Sequence, residues 1–314
     1  MKLRHWCILL SMFYFVSLNS QNLDSIRNQA FYSEILNIIQ NHSIVSDSIK
    51  WTPFRKEIEF LVSSYPKDSG RVIILRIINE LRKYGDNHSS WRSRKREMER
   101  LKMSDSLKVP HLIEVKKGIV QLIIPSYTQN NDLDQYRYLD SALRQIEKYD
   151  TKSNIKGLIV DLRGNGGGNM YPMIACILPF IELDSLGYFI KKNTKTSWYA
   201  IFQENKMPIN RVRPYKCKTL DLKIAVLIDS KTGSAAEMTA ISLIGKNNVK
   251  LLGQPSSGLV TANKRFKLSN GSILALAVAW CADRNGRVYK DRLEPDIRVK
   301  NEDIIREALN WIEE

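Results

Sequence analysis

Two short stretches of the chain carry residue types that could do chemistry. The first, Ser230-Lys231-Thr232-Gly233-Ser234-Ala235-Ala236-Glu237, follows the apolar run Lys223–Asp229. It reads as a turn between a buried strand and a helix that begins at Ser234. A serine there is an ordinary N-cap. The same place also suits a nucleophile, because the first free amides and the helix dipole favour a nearby oxyanion. The small neighbours Gly233, Ala235 and Ala236 leave room for a substrate. The second stretch is Asp161-Leu162-Arg163-Gly164-Asn165-Gly166-Gly167-Gly168, after the apolar run Lys156–Leu162. Three consecutive glycines let the backbone approach a ligand and aim amide groups at it. A dinucleotide loop would need a further glycine where Asn169 stands. An oxyanion hole needs only fixed amide donors. A serine with such a loop points to acyl transfer.

These turns need a scaffold of alternating strands and helices. Lys156–Leu162 and Lys223–Asp229 are nearly continuous apolar runs, as expected of parallel strands buried on both faces. Asp132–Tyr149, Met170–Ile181 and Glu302–Glu313 have helical patterning, and His111–Pro125 reads as two strands about a Lys-Lys-Gly turn. A hairpin is expected at Ser269-Asn270-Gly271. The fold class is therefore α/β from about residue 106 to 314. Residues 21 to 105 read as a small helical domain, with Ile74, Ile77, Ile78 and Leu81 on one helix face and Tyr84-Gly85 ending that helix.

Residues 1–20 look like a signal peptide: Lys2 and Arg4, an apolar run from Trp6 to Val16, then Leu18 and Ser20 before Gln21. Export is thus expected, to a periplasmic, cell-surface or secreted location, and no later segment could span a bilayer. The 314 residues carry a formal net charge of +15. Losing the leader removes two positive charges and no negative ones, leaving about +13. The densest basic run, Arg92–Lys102, contains Glu97 and Glu99 and lacks interleaved aromatics. It reads as a solvated helix rather than a nucleic-acid site. Cys176, Cys217 and Cys281 have no metal-ligand spacing; one disulfide could form after export, but Cys176 and Cys281 sit in apolar runs and read as buried thiols.

The motifs GLIVDLRGNGGG (157–168), IAVLIDSKTGSAAEMTAISL (224–243), VKLLGQPSSG (249–258), LSNGSILAL (268–276) and LEPDIRV (293–299), with YGDNHSSW (84–91) and IVQLIIPSY (119–127) before them, together resemble the tail-specific, or C-terminal processing, protease family. That family includes the tricorn core and retinoid-binding repeats. The resemblance implies a ClpP/crotonase-like αβ core behind a helical N-terminal domain. It places Ser234 on the family nucleophile and the amides of Ala235 and Gly167, or alternatively Gly168, at the oxyanion hole. Gly166, Gly168 and Gly258 fall where substrate binds. The lysine base of tail-specific members is replaced by Leu259, after Ser256-Ser257-Gly258; Lys264 lies off that position. Asp86-Asn87-His88-Ser89 matches the tricorn-like motif, which makes His88 the base. The glutamate expected before Leu293-Glu294-Pro295-Asp296 falls on Tyr289, with Asp291 as a substitute. The family implies a peptide or protein substrate and no cofactor or metal; a homo-oligomer is compatible with it. A peptide-binding PDZ insertion is not recognisable. The rival expectation is a non-catalytic peptide- or small-hydrophobe-binding protein on the same fold.

Overall fold

The computed structural model describes residues 28–65, 70–102, 106–129, 131–181, 186–192, 194–198, 215–219 and 221–314. The leader-like residues 1–20 lie outside these. The described residues divide into two compact units. One holds those up to residue 102 together with Asn263–Val278. The other holds those from 106 to Ala262 together with Ala279–Glu314.

The first unit contains helices over 28–42, Trp51–Ser64, Gly70–Lys83 and Arg94–Lys102. Gly70–Lys83 buries Ile73, Ile74, Ile77, Ile78 and Leu81 as one stripe, each worth roughly 1.5–3 kcal/mol when removed from water. Its end is a Schellman cap. Gly85, at φ 93, donates to Arg82 O at 2.9 Å, and Asp86 N donates to Leu81 O at 3.2 Å. The chain leaving this cap forms a short strand, Ser90–Arg92, antiparallel to Ile273–Ala275.

The second unit is built on a six-stranded sheet in the order Ile297–Arg298, Val249–Gly253, Lys223–Ile228, Gly157–Asp161, Ile119–Ile123, His111–Lys116. Only the last pair is antiparallel. The two central strands are buried on both faces. Leu158, Val160, Ile224 and Val226 pack towards the helices Asp132–Ser153, Met170–Ala175 and Ala235–Ile241. Ile159, Ala225 and Leu227 pack towards the C-terminal helix Ile304–Glu313. Gly157 permits that last approach, since a methyl there would overlap Ile312. Parallel strands send their following turns to the same edge of the sheet. The turns after Asp161 and Ile228, on neighbouring strands, are therefore side by side.

Candidate active site

Cross-links between these turns fix their geometry. Gly233 N donates to Asn165 O (3.0 Å), Thr232 Oγ1 to Leu162 O (2.9 Å), and Gly164 N to the Asp229 carboxylate (3.0 Å). The contact is close enough to forbid a side chain on one partner. A methyl at Gly167, whose φ is 103, would lie 2.8 Å from Ser234 Cβ and 2.7 Å from Gly233 O.

Ser234 itself has φ 54 and ψ −119 and directly precedes the helix Ala235–Ile241. These are the angles of the first central residue of a type II′ turn, a place that favours glycine. Ala236 N closes that turn on Gly233 O at 3.1 Å. A serine held in such backbone is strained by about 1–3 kcal/mol, and such strain clusters at functional sites. The side chain is half-buried among the fully buried Gly233, Ala235 and Ala236.

Two buried polar side chains tie the site together. Asn165, 2% exposed, accepts from Ser126 Oγ and Gly167 N through Oδ1, both at 2.9 Å, and donates from Nδ2 to Ile124 O at 2.8 Å. The Gly167 amide is thus committed to Asn165, and an oxyanion using it would have to displace Asn165 Oδ1. Glu237, fully buried, accepts from Ser234 N, Gly258 N and Leu259 N, each at 2.8 Å, and from Ser256 Oγ. It therefore clamps the Ser256–Leu259 segment to the Ser234 turn. Gly258, at φ 81, could not carry a methyl without crowding Arg292 Cγ at 3.1 Å.

Burial raises the Glu237 pKa, against the lowering effect of its four donors. A carboxyl whose native pKa exceeds its unfolded value binds its proton more tightly when folded. Its contribution to stability is therefore retained at low pH and falls as pH rises from the ordinary range near ~4.3 through the raised native value. The stability of Glu237→Gln relative to wild type is expected to improve across that window. Urea unfolding of both proteins at acidic and neutral pH measures this; a difference independent of pH would contradict it.

The remaining predicted residues fall as follows. Ser234, Ala235, Gly166, Gly167, Gly168 and Gly258 all belong to the second unit. His88 belongs to the first. There the Asp86 carboxylate accepts from His88 N (3.1 Å), Ser89 N (2.8 Å) and Ser89 Oγ (2.5 Å), while Asn263 Nδ2 donates to His88 O at 3.1 Å. The DNHS segment is thus a tightly hydrogen-bonded turn, and His88 is partly exposed on it. Tyr289 donates its hydroxyl to Asp283 Oδ2 at 2.9 Å, and burial lifts its pKa far above the usual phenol range. Asp291 accepts from Arg292 N at 2.8 Å. Cys176, Cys217 and Cys281 are buried free thiols. Among the described residues no His, Cys, Asp or Glu cluster is arranged to hold a metal ion, and no helix is long and apolar enough to cross a membrane. The sequence reading assigned Asn165 no role; an asparagine inside a glycine run was the available signal.

The chain is similar to several known proteins. The chain is 33% identical over 206 residues to the nisin-resistance protein of Lactococcus lactis subsp. lactis, covering 63% of this chain and 61% of that one. It is 29% identical over 163 residues to the carboxy-terminal processing protease CtpA of Bacillus subtilis (strain 168), covering 52% of this chain and 32% of the relative. The chain thus spans less than two thirds of either relative. Among solved structures, a lipoprotein from Streptococcus agalactiae superposes with a TM-score of 0.72 at 25% identity, over 91% of this chain and 96% of the other. The photosystem II D1 C-terminal processing protease shares the fold, with a TM-score of 0.55 at 11% identity over 87% and 93% of the two chains. Residues 118–299, more than half of the chain and including both turns, match the model of peptidase family S41, and the protein belongs to that family.

Proposed function

We propose that the protein is an exported serine peptidase that cleaves peptide bonds through an acyl-enzyme on Ser234. The observation that carries this is the strained backbone of Ser234, at φ 54, against Gly167, where a methyl would overlap Ser234 Cβ and Gly233 O. In this reading Ser234 Oγ attacks the peptide carbonyl while His88 takes its proton. The tetrahedral oxyanion is held by the Ala235 amide and by the amide of Gly167 or Gly168. With Gly167, Asn165 Oδ1 gives up its donor. Collapse expels the amine, which takes the proton back from His88. Water then attacks the ester, giving up a proton to His88, and collapse releases the acid as His88 returns that proton to Ser234 Oγ. Gly166, Gly168 and Gly258 border the bound peptide.

The helical residues 21–105 and the remainder 106–314 serve as a supporting domain and a catalytic domain, with Asn263–Val278 packed into the first. Export after removal of residues 1–20 suits a substrate met outside the cytoplasm. The name of the Lactococcus relative makes nisin the first peptide to try.

Incubation of wild type and His88→Ala with nisin and a panel of unmodified peptides, followed by mass spectrometry, tests this reading. Wild type is expected to produce pairs of fragments whose masses sum to that of the substrate plus one water, and His88→Ala to slow their formation at least ~10²-fold. Equal rates in the two proteins would remove His88 from the mechanism. A second reading, a non-catalytic binder of peptides or small hydrophobes, is favoured by the occupied Gly167 amide. It predicts saturable binding without fragments.

A further inference from the structure

The helix Arg94–Lys102 lies in the first unit and has no part in the chemistry proposed above. One of its two carboxylates is already shared among guanidinium groups. Glu97 is buried and pairs with Arg92 at 2.7 Å, Arg100 at 3.0 Å and Arg265 at 2.5 Å. The hydrogen bond from Arg100, with Arg92 and Arg265 behind it, holds the Glu97 carboxyl down at about 2. One negative charge therefore answers three positive ones. Arg94, Lys95 and Arg96 are exposed on the helix, Lys267 is exposed two residues beyond Arg265, and Glu99 is the one further acid in the 92–101 stretch.

Into this surplus of cations the helix sets two large apolar side chains. Met98 is 48% exposed and Leu101 66%. At about 100° per residue, Arg94, Lys95, Met98 and Leu101 share one face roughly 120° wide. A single exposed apolar residue is ordinary surface. Two neighbours on one face, rimmed by Lys and Arg, form the pattern of a segment that lies in a bilayer interface: cations meet headgroup phosphates and apolar tips enter the acyl boundary. A soluble polyanion would engage the cations and leave Met98 and Leu101 in water, so the apolar pair decides between the two.

We propose that the Arg94–Lys102 face, with Arg265 and Lys267, docks reversibly on the surface of an anionic phospholipid bilayer, Met98 and Leu101 entering its headgroup–acyl boundary. A nine-residue helix offers little apolar area, so the attachment depends on charge and weakens with salt.

Vesicle flotation tests this with the full chain, so that residues outside the helix contribute equally to every sample. Wild type, Met98→Ser/Leu101→Ser and Arg94→Glu/Lys95→Glu are compared on vesicles containing phosphatidylglycerol and on pure phosphatidylcholine. Far-UV melts confirm that each variant is folded. Wild type is expected to prefer the anionic vesicles, and each double variant to lose at least about tenfold in partitioning. High salt is expected to release wild type, which serves as the charge readout should the reversed variant not fold. Equal partitioning of wild type on the two lipids would overturn the proposal. So would an unchanged serine variant, which would show that Met98 and Leu101 do not enter the bilayer.

Discussion

Replacing Ser234 by glycine is expected to abolish turnover and to stabilise the protein in the same stroke. Loss of a nucleophile from a catalytic set that acts as a unit costs at least ~10³-fold in rate. The gain in stability comes from the backbone. At φ 54 and ψ −119 the Cβ of Ser234 is an unfavourable passenger, and glycine adopts these angles without penalty. Relief of about 1 kcal/mol corresponds to a rise of roughly 2–4 °C in melting temperature for a domain of this size. Ser234→Ala separates the two effects, because alanine loses the hydroxyl and keeps the Cβ. Thermal melts and peptide hydrolysis of all three proteins give the comparison. Melting of Ser234→Gly at or below Ser234→Ala would show that no strain is stored at this residue.

Gly167→Ala carries the second large effect. The added methyl would meet Gly233 O at 2.7 Å, Ser234 Cβ at 2.8 Å and Ala235 N at 3.0 Å. None of these atoms belongs to a side chain that can rotate away. The glycine turn is also bound to the serine turn through Gly233 N to Asn165 O and Thr232 Oγ1 to Leu162 O, so the two cannot part without losing those bonds. Alanine at φ 103 adds its own strain. Displacement of Ser234 by a fraction of an ångström to one ångström is expected to lower kcat/KM at least ~10²-fold, with about 2–4 kcal/mol lost in stability. Gly166→Ala is the stability control, since a methyl there meets nothing within 4 Å. Unfolding curves that coincide for the two variants would contradict the packing described at Gly167.

The strand–turn–helix units were legible because their signals are local. Gly157–Asp161 and Lys223–Ile228 are uninterrupted apolar runs, each followed within a few residues by turn formers and a helix start. The adjacency of the two turns follows from parallel pairing of those strands and needed no further information. Other features depend on partners far away in the chain. Ser90–Arg92 is too short to announce a strand, and its partner Ile273–Ala275 lies some 180 residues later. The grouping of Asn263–Val278 with the N-terminal helices was hidden for the same reason. Within the site, the left-handed backbone of Ser234 was invisible because a serine, not a glycine, occupies it. Asn165 looked like loop filler. Its role as a knot depends on Ser126 and Ile124, on the neighbouring strand's exit.

The reactivity of Ser234 is the point on which the proposed chemistry turns. Labelling of the folded protein with a fluorophosphonate, which phosphonylates activated serine hydroxyls, addresses it without knowledge of the substrate. Wild type, Ser234→Ala and His88→Ala would be treated side by side and the modified peptide mapped. The expected result is one adduct on Ser234, absent from Ser234→Ala and strongly reduced in His88→Ala. A folded wild type that takes no label, or a label that persists in Ser234→Ala, would contradict the assignment of Ser234 as nucleophile.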